Sequence, residues 1–194
     1  SELEAINKIA INLNKVAPIA IRVNPDIDAG THENISTGKA DNKFGIPISK
    51  AKEIYQYASK LEKIKIVGVD VHIGSQITNL NAFRQTFENI KKLIYDLRDH
   101  NIHLENVDIG GGLGIKYTDD DVEPDLREYG TLVKQILGNL NCRIIFEPGR
   151  YIVGNCGILV TKVLYKKTSQ KKNFLVTDAG MNDFSRTALY GAAH

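Results

Sequence analysis

The chain has 194 residues, 42% of them hydrophobic and 25% charged, with only 5 Pro and a formal net charge of +2. Lys+Arg at 25 nearly balances Asp+Glu at 23, which excludes a disordered segment and a nucleic-acid-binding surface. No apolar run approaches the roughly 20 residues of a membrane span, and the N-terminus lacks the charged-then-apolar layout of a signal peptide. Cys142 and Cys156 have no metal-ligand spacing, which predicts free thiols, no metal and a cytoplasmic protein.

Ser1 and Glu4 form a capping-box pattern, and Leu3, Ile6, Ala10 and Leu13 recur at helical spacing, so the chain opens inside a helix. A strand follows Pro18, from Ile19 to Val23, and closes at Asn24-Pro25. A long polar loop through Asp41 leads to a helix over about 49–61. A strand over 66–73 then ends at Gly74, and a helix over 79–98 carries Phe83, Phe87, Ile90, Ile94 and Leu97 on one face. A strand over 104–109 ends in Gly110-Gly111-Gly112, a helix covers about 124–137, and a strand over 143–146 ends in Glu147-Pro148-Gly149-Arg150. Strand and helix thus alternate, and each strand is apolar along most of its length. That predicts an α/β fold with a parallel sheet covered on both faces.

After Arg150 the pattern changes to strands over 157–165 and 173–177, joined by a turn with Lys166, Lys167, Lys171 and Lys172 around it. The lysines predict a solvated hairpin tip. The expected division is residues 1–150 as part of a (β/α)8 barrel and residues 151–194 as the start of a β domain. A full barrel takes about 250 residues, so about half of one is present.

Polar and glycine-rich residues fall at the strand C-termini, where α/β folds place their active sites. His72 stands at one such end, before Gly74-Ser75, whose N–H groups and hydroxyl suit an anion. A histidine there also packs structurally, and taken alone it does not choose. The triple glycine lets backbone N–H groups approach a phosphate, or is simply a tight turn. It does not continue as a dinucleotide fingerprint, because Ile115 stands where that motif needs glycine. Glu147 and Arg150 read as a rim carboxylate and guanidinium, or as a surface ion pair. Convergence of all three motifs at successive strand ends favours a ligand pocket.

These residues resemble the diaminopimelate decarboxylase family along essentially the whole chain. The resemblance is carried by 22–26 (Arg-Val-Asn-Pro-Asp), Gly38-Lys39 with Lys43-Phe44-Gly45-Ile46, and His72-Ile73-Gly74-Ser75-Gln76. It continues through Asp108-Ile109-Gly110-Gly111-Gly112, Glu147-Pro148-Gly149-Arg150 and 178–183 (Asp-Ala-Gly-Met-Asn-Asp). It implies an alanine-racemase-like barrel that binds pyridoxal 5'-phosphate, and decarboxylation of meso-diaminopimelate to L-lysine by a homodimer. By the same resemblance His72 stacks on the pyridine ring and Glu147 pairs with its nitrogen. Ser75, Gly112 and the backbone at Gly149 and Arg150 hold the phosphate, Gly110 and Gly111 belong to the same cofactor-binding set with Arg22 nearby, and Arg150, Arg186 and Tyr190 meet substrate carboxylates. The family's cofactor-binding lysine belongs upstream of Ser1 and its catalytic cysteine downstream of His194, so the chain is expected to be an internal portion, inactive alone. Phe184-Ser185-Arg186-Thr187-Ala188 replaces the more usual Leu-Ile-Arg-Pro-Ala. Ornithine, arginine or carboxynorspermidine decarboxylases share the three pocket motifs, and a non-catalytic relative that binds the cofactor is the remaining alternative.

Overall fold

The computed structural model describes residues 1–27 and 44–191. The polar loop expected through Asp41, with Gly38, Lys39 and Lys43, lies outside them. The chain divides into two units, one of Ser1–Ile115 with Glu123–Tyr151 and one of Lys116–Val122 with Ile152–His194.

The first unit opens with α1 (Glu2–Asn12), where Ser1 and Glu4 make the expected capping box. Ala10 is buried, but Leu13, expected on the same face, is the C-cap and 63% exposed, because the backbone leaves the helix there. β1 (Ala17–Asn24) starts two residues earlier than its apolar run. Pro18 is tolerated because β2 (Ile46–Pro47) pairs only with Val23 and Asn24, leaving the other side of Pro18 without a ladder to break.

Then α2 (Ile48–Ala58), β3 (Ile64–Asp70), α3 (Leu80–Arg98), β4 (Asn106–Asp108), α4 (Leu126–Leu137) and β5 (Arg143–Ile145) alternate. The sheet has the order β2-β1-β3-β4-β5, with every pair parallel, as the alternation predicts. Backbone bonds continue past the strand ends: Val71 N–H donates to Asp108 O (3.0 Å), Ile109 N–H to Ile145 O (3.0 Å) and Glu147 N–H to Gly110 O (2.8 Å). The ends of β3, β4 and β5 are therefore held in step.

α3 starts where the Asn79 side chain accepts the N–H of Asn81, and α4 where Asp125 accepts those of Arg127 and Glu128. Phe83, Phe87, Ile90, Ile94 and Leu97 of α3 are all buried, as their spacing requires. Tyr129 of α4 meets Phe83 edge-on, with ring centroids 5.1 Å apart. Beneath the helices lie Ile21, Val23, Val69, Val71, Ile73, Val107 and Ile109. Strand alternation puts Arg22, Asp70, His72, Asp108 and Glu147 on the opposite face, and each of them is half-buried or exposed.

In the second unit, β6 (Val163–Thr168) and β7 (Asn173–Thr177) pair antiparallel across a turn where Ser169 N–H donates to Lys172 O (2.9 Å). The strand expected from Gly157 begins only at Val163. Before it, Thr161 Oγ1 (2.7 Å) and Lys162 N–H (2.9 Å) donate to Asp178, so a carboxylate replaces a partner strand. Those bonds, that of Lys162 first, hold the Asp178 carboxyl below its usual range. Lys166, Lys167, Lys171 and Lys172 are exposed, as a solvated tip requires. Two short helices, α5 (Arg150–Val153) and α6 (Arg186–Tyr190), complete the elements. Among the described residues no helix is long and apolar enough to cross a membrane.

Phe87 is fully buried between α3 and α4. Phe87→Ala is expected to cost about 3–5 kcal/mol in chemical denaturation, the range for emptying an aromatic core position.

Candidate active site

Four of the five polar residues on the sheet face opposite the helices, Arg22, Asp70, Asp108 and Glu147, form a charged cluster. One oxygen each from Asp70, Asp108 and Glu147 lies within 4.8 Å of the others. Arg22 Nε stands 3.8 Å from Asp70 Oδ2, in register with it across β1 and β3, and its guanidinium lies 5.4 Å from the centre of the Phe44 ring. Asp70 Oδ1 is buried without a hydrogen-bond partner. Its carboxyl is pushed up to about 6, chiefly by burial, with Arg22 opposing and the charges of Asp108 and Glu147 adding to the rise.

His72, two residues beyond Asp70, shares its face. Burial and then the Arg22 charge push its imidazole below the usual histidine value, with Asp108 pulling the other way. The ring is therefore neutral near pH 7. Gly111 N–H donates to His72 Nδ1 (3.3 Å), which leaves the proton on Nε2.

The glycine triplet is dictated by packing. A Cβ on Gly110 would stand 2.3 Å from Val71 O, on Gly111 2.1 Å from Glu147 O and on Gly112 2.2 Å from Gly74 O. Gly110 and Gly112 also hold φ of +66° and +93°, where side chains are strained. Asp108 Oδ1 accepts the N–H of Gly110 (2.9 Å) and closes the turn. A Cβ on Gly149, by contrast, would meet nothing within 4 Å.

Arg150 Nη1 donates to Gln76 Oε1 (3.1 Å), joining the loops after β5 and β3. The first unit thus brings Arg22, His72, Ser75, Gly110, Gly111, Gly112, Glu147, Gly149 and Arg150 to the C-terminal ends of its strands. Arg186 and Tyr190 belong to the second unit, where the Arg186 guanidinium lies 5.0 Å from the Tyr117 ring centre and 5.8 Å from that of Tyr190. Arg186 Nε is buried there without a partner. Cys142 Sγ donates to Leu104 O (3.2 Å), away from the strand ends, and both cysteines are free thiols as expected. A groove of about 580 Å³ runs beside β1, lined by Leu3, Ile6, Ile19, Ile21, Arg22 and Ile46. It shares only Arg22 with the charged cluster.

Asp70 was not singled out by sequence reasoning. Its signal is a lone carboxylate in an apolar strand, at the same alternation as His72.

Residues 1–154 match the family described as pyridoxal-dependent decarboxylase, pyridoxal binding domain. A diaminopimelate decarboxylase of Aquifex aeolicus is 47% identical over 193 residues, covering 100% of this chain and 46% of the relative, and one of Haemophilus influenzae is 48% identical, covering 99% and 46%. A crystal structure of diaminopimelate decarboxylase from Helicobacter pylori complexed with L-lysine superposes with a TM-score of 0.95 at 41% identity, covering 100% of this chain and 48% of that one. The chain spans about half the length of the curated relatives it matches.

The Asp70 carboxyl binds its proton more tightly folded than unfolded, so the stability it contributes is fully present below the unfolded value of 3.8 and is lost as pH rises through about 6. Asp70→Asn removes that loss. In denaturation of the cofactor-free protein, the variant is expected to gain on the order of 2 kcal/mol over the parent between pH 4 and pH 7.

Proposed function

The chain belongs to the pyridoxal-dependent decarboxylases through their pyridoxal-binding domain, and from that premise we propose that the whole protein releases carbon dioxide from meso-diaminopimelate to give L-lysine. The observation that carries the proposal is the single sheet face on which His72, Glu147 and Arg22 converge beside the glycine turn. The substrate reading is supported by 47% identity to diaminopimelate decarboxylases along the full chain.

The donor set fits pyridoxal 5'-phosphate. A neutral, flat imidazole suits a stacked ring, a rim carboxylate suits a pyridine nitrogen, and backbone N–H groups with a serine hydroxyl suit a phosphate. When bound, the cofactor supplies a sink for the electron pair left on the α carbon as carbon dioxide departs.

The chain's own residues prepare that chemistry. Glu147 holds a proton on the ring nitrogen, because an anionic carboxylate favours the charged form of its partner. Asp70 and Asp108, clustered with it, add to the negative potential there. His72 stays neutral and offers its ring face, its orientation fixed by the Gly111 N–H. Ser75, Gly112 and the backbone at Gly149 and Arg150 would hold the phosphate, while Gly110 and Gly111, whose N–H groups go to Asp108 and His72, shape the turn beside the ring, and Arg22 balances the carboxylates there. Arg150, Arg186 and Tyr190 receive substrate carboxylates, for which a guanidinium fork has the right planar geometry. The enzyme works in the cytoplasm as a homodimer, a reading supported by the two free thiols and the family resemblance.

The test is carbon dioxide release by the full-length protein with pyridoxal 5'-phosphate and one amino acid at a time. Release is expected from meso-diaminopimelate and not from ornithine or arginine, and release from either of those two would reassign the substrate. Glu147→Gln is expected to lower kcat by roughly 100-fold or more, a barrier increase of about 3 kcal/mol, with the cofactor still bound.

A further inference from the structure

The side chain of Gln76 ties the Ile115 backbone to one arginine. Nε2 donates to Ile115 O, while Oε1 accepts both the Ile115 N–H (3.2 Å) and Arg150 Nη1 (3.1 Å). The Ile115 backbone is itself anchored. Ile77 N–H donates to Gly112 O (2.9 Å), Gly114 N–H donates to Ile77 O (3.0 Å), and Ile77 and Leu113 form a parallel bridge. Gln76 therefore hangs from a short backbone ladder, and Arg150 Nη1 donates to its fixed amide oxygen.

Gln76 holds φ of +60°, a left-handed conformation that glycine adopts without strain and a glutamine does not. A glycine would relieve that strain and lose all three bonds. The position is thus occupied by a side chain whose contacts offset its backbone.

We propose that Gln76 is a positioning residue for Arg150: its amide, clamped on the Ile115 backbone, sets the plane of the guanidinium so that the fork meets a substrate carboxylate. The proposal rests on the assignment of Arg150 to a substrate carboxylate made above. Recognition of an amino dicarboxylate then depends on Gln76, although Gln76 touches neither the substrate nor the reacting bond. A guanidinium fork binds a planar carboxylate well only when the two planes agree, so loss of orientation weakens substrate binding more than it slows chemistry.

The experiment compares full-length wild type, Gln76→Met, Gln76→Glu and Arg150→Gln as holoenzymes, and binding of the dicarboxylate pimelate to the cofactor-free proteins by calorimetry. Methionine keeps the length and removes every bond. Glutamate cannot donate to Ile115 O and pairs with Arg150 in competition with the substrate. Both variants are expected to raise KM for meso-diaminopimelate about tenfold, with kcat within threefold and the dissociation constant of pyridoxal 5'-phosphate within twofold of wild type, and to weaken pimelate binding about as much. If Arg150→Gln raises KM and the Gln76 variants leave it within twofold, Gln76 does not position Arg150. If Arg150→Gln leaves KM unchanged, the carboxylate assignment beneath the proposal is wrong. Variants that fail to fold, or that lose cofactor and substrate affinity together, make Gln76 a structural brace of the loop and overturn the positioning role.

Discussion

Three backbones meet at the end of the sheet with no room between them for a methyl group. A Cβ on Gly110, Gly111 or Gly112 would stand 2.1–2.3 Å from a carbonyl oxygen of Val71, Glu147 or Gly74. The loop after β4 can therefore lie against the ends of both β3 and β5 only if it carries hydrogen in place of side chains. Much of the site follows from that closeness. Gly110 O accepts the Glu147 N–H, Gly111 N–H reaches His72, and Gly112 O receives the Ile77 N–H on which the Gln76 clamp depends. Any side chain there would push the strand ends apart and separate the groups that have to act together.

Stability and chemistry are assigned to opposite faces of the sheet. The helix-facing side is apolar and closed, with Val69, Val71, Val107, Phe87 and Ile94 fully buried. The other side gathers Asp70, Asp108 and Glu147 with Arg22, an arrangement that disfavours the charged form of Asp70 and leaves its Oδ1 without a partner. Such a cluster lowers stability. The closed face offsets it, which is the usual relation between a core and a site it supports.

The order of elements was legible because it is written in local patterns. The Ser1 capping box and the apolar stripe of α3 each depend on residues a few positions apart. What was illegible depends on partners distant in sequence. A bulge between Ile19 and Ala20 pairs Ile19 with Ile66 but Ala20 with Gly68, so alternation counted from Ile64 assigns the end of β3 to the wrong face. Leu13 continues a helical stripe after the helix has stopped. The motifs around His72, the glycines and Glu147 stood out as residue types at strand ends, but the sequence offered a phosphate as the reason for the glycines, whereas neighbouring backbone already requires them. The pairing of Asp70 and the clamp on Gln76 were not readable, since nothing near either residue in sequence names Arg22, Ile115 or Arg150 as its partner. The joining of Lys116–Val122 to the second unit is likewise a tertiary fact.

The central claim is that the open face at the ends of β3, β4 and β5 receives the ring of pyridoxal 5'-phosphate. A crystal structure of the full-length protein with the cofactor tests it most directly. The account predicts a Glu147 carboxylate oxygen within hydrogen-bond distance of the pyridine nitrogen and the His72 imidazole stacked on the ring. A cofactor seated elsewhere, or a ring nitrogen paired with a group other than Glu147, would contradict it.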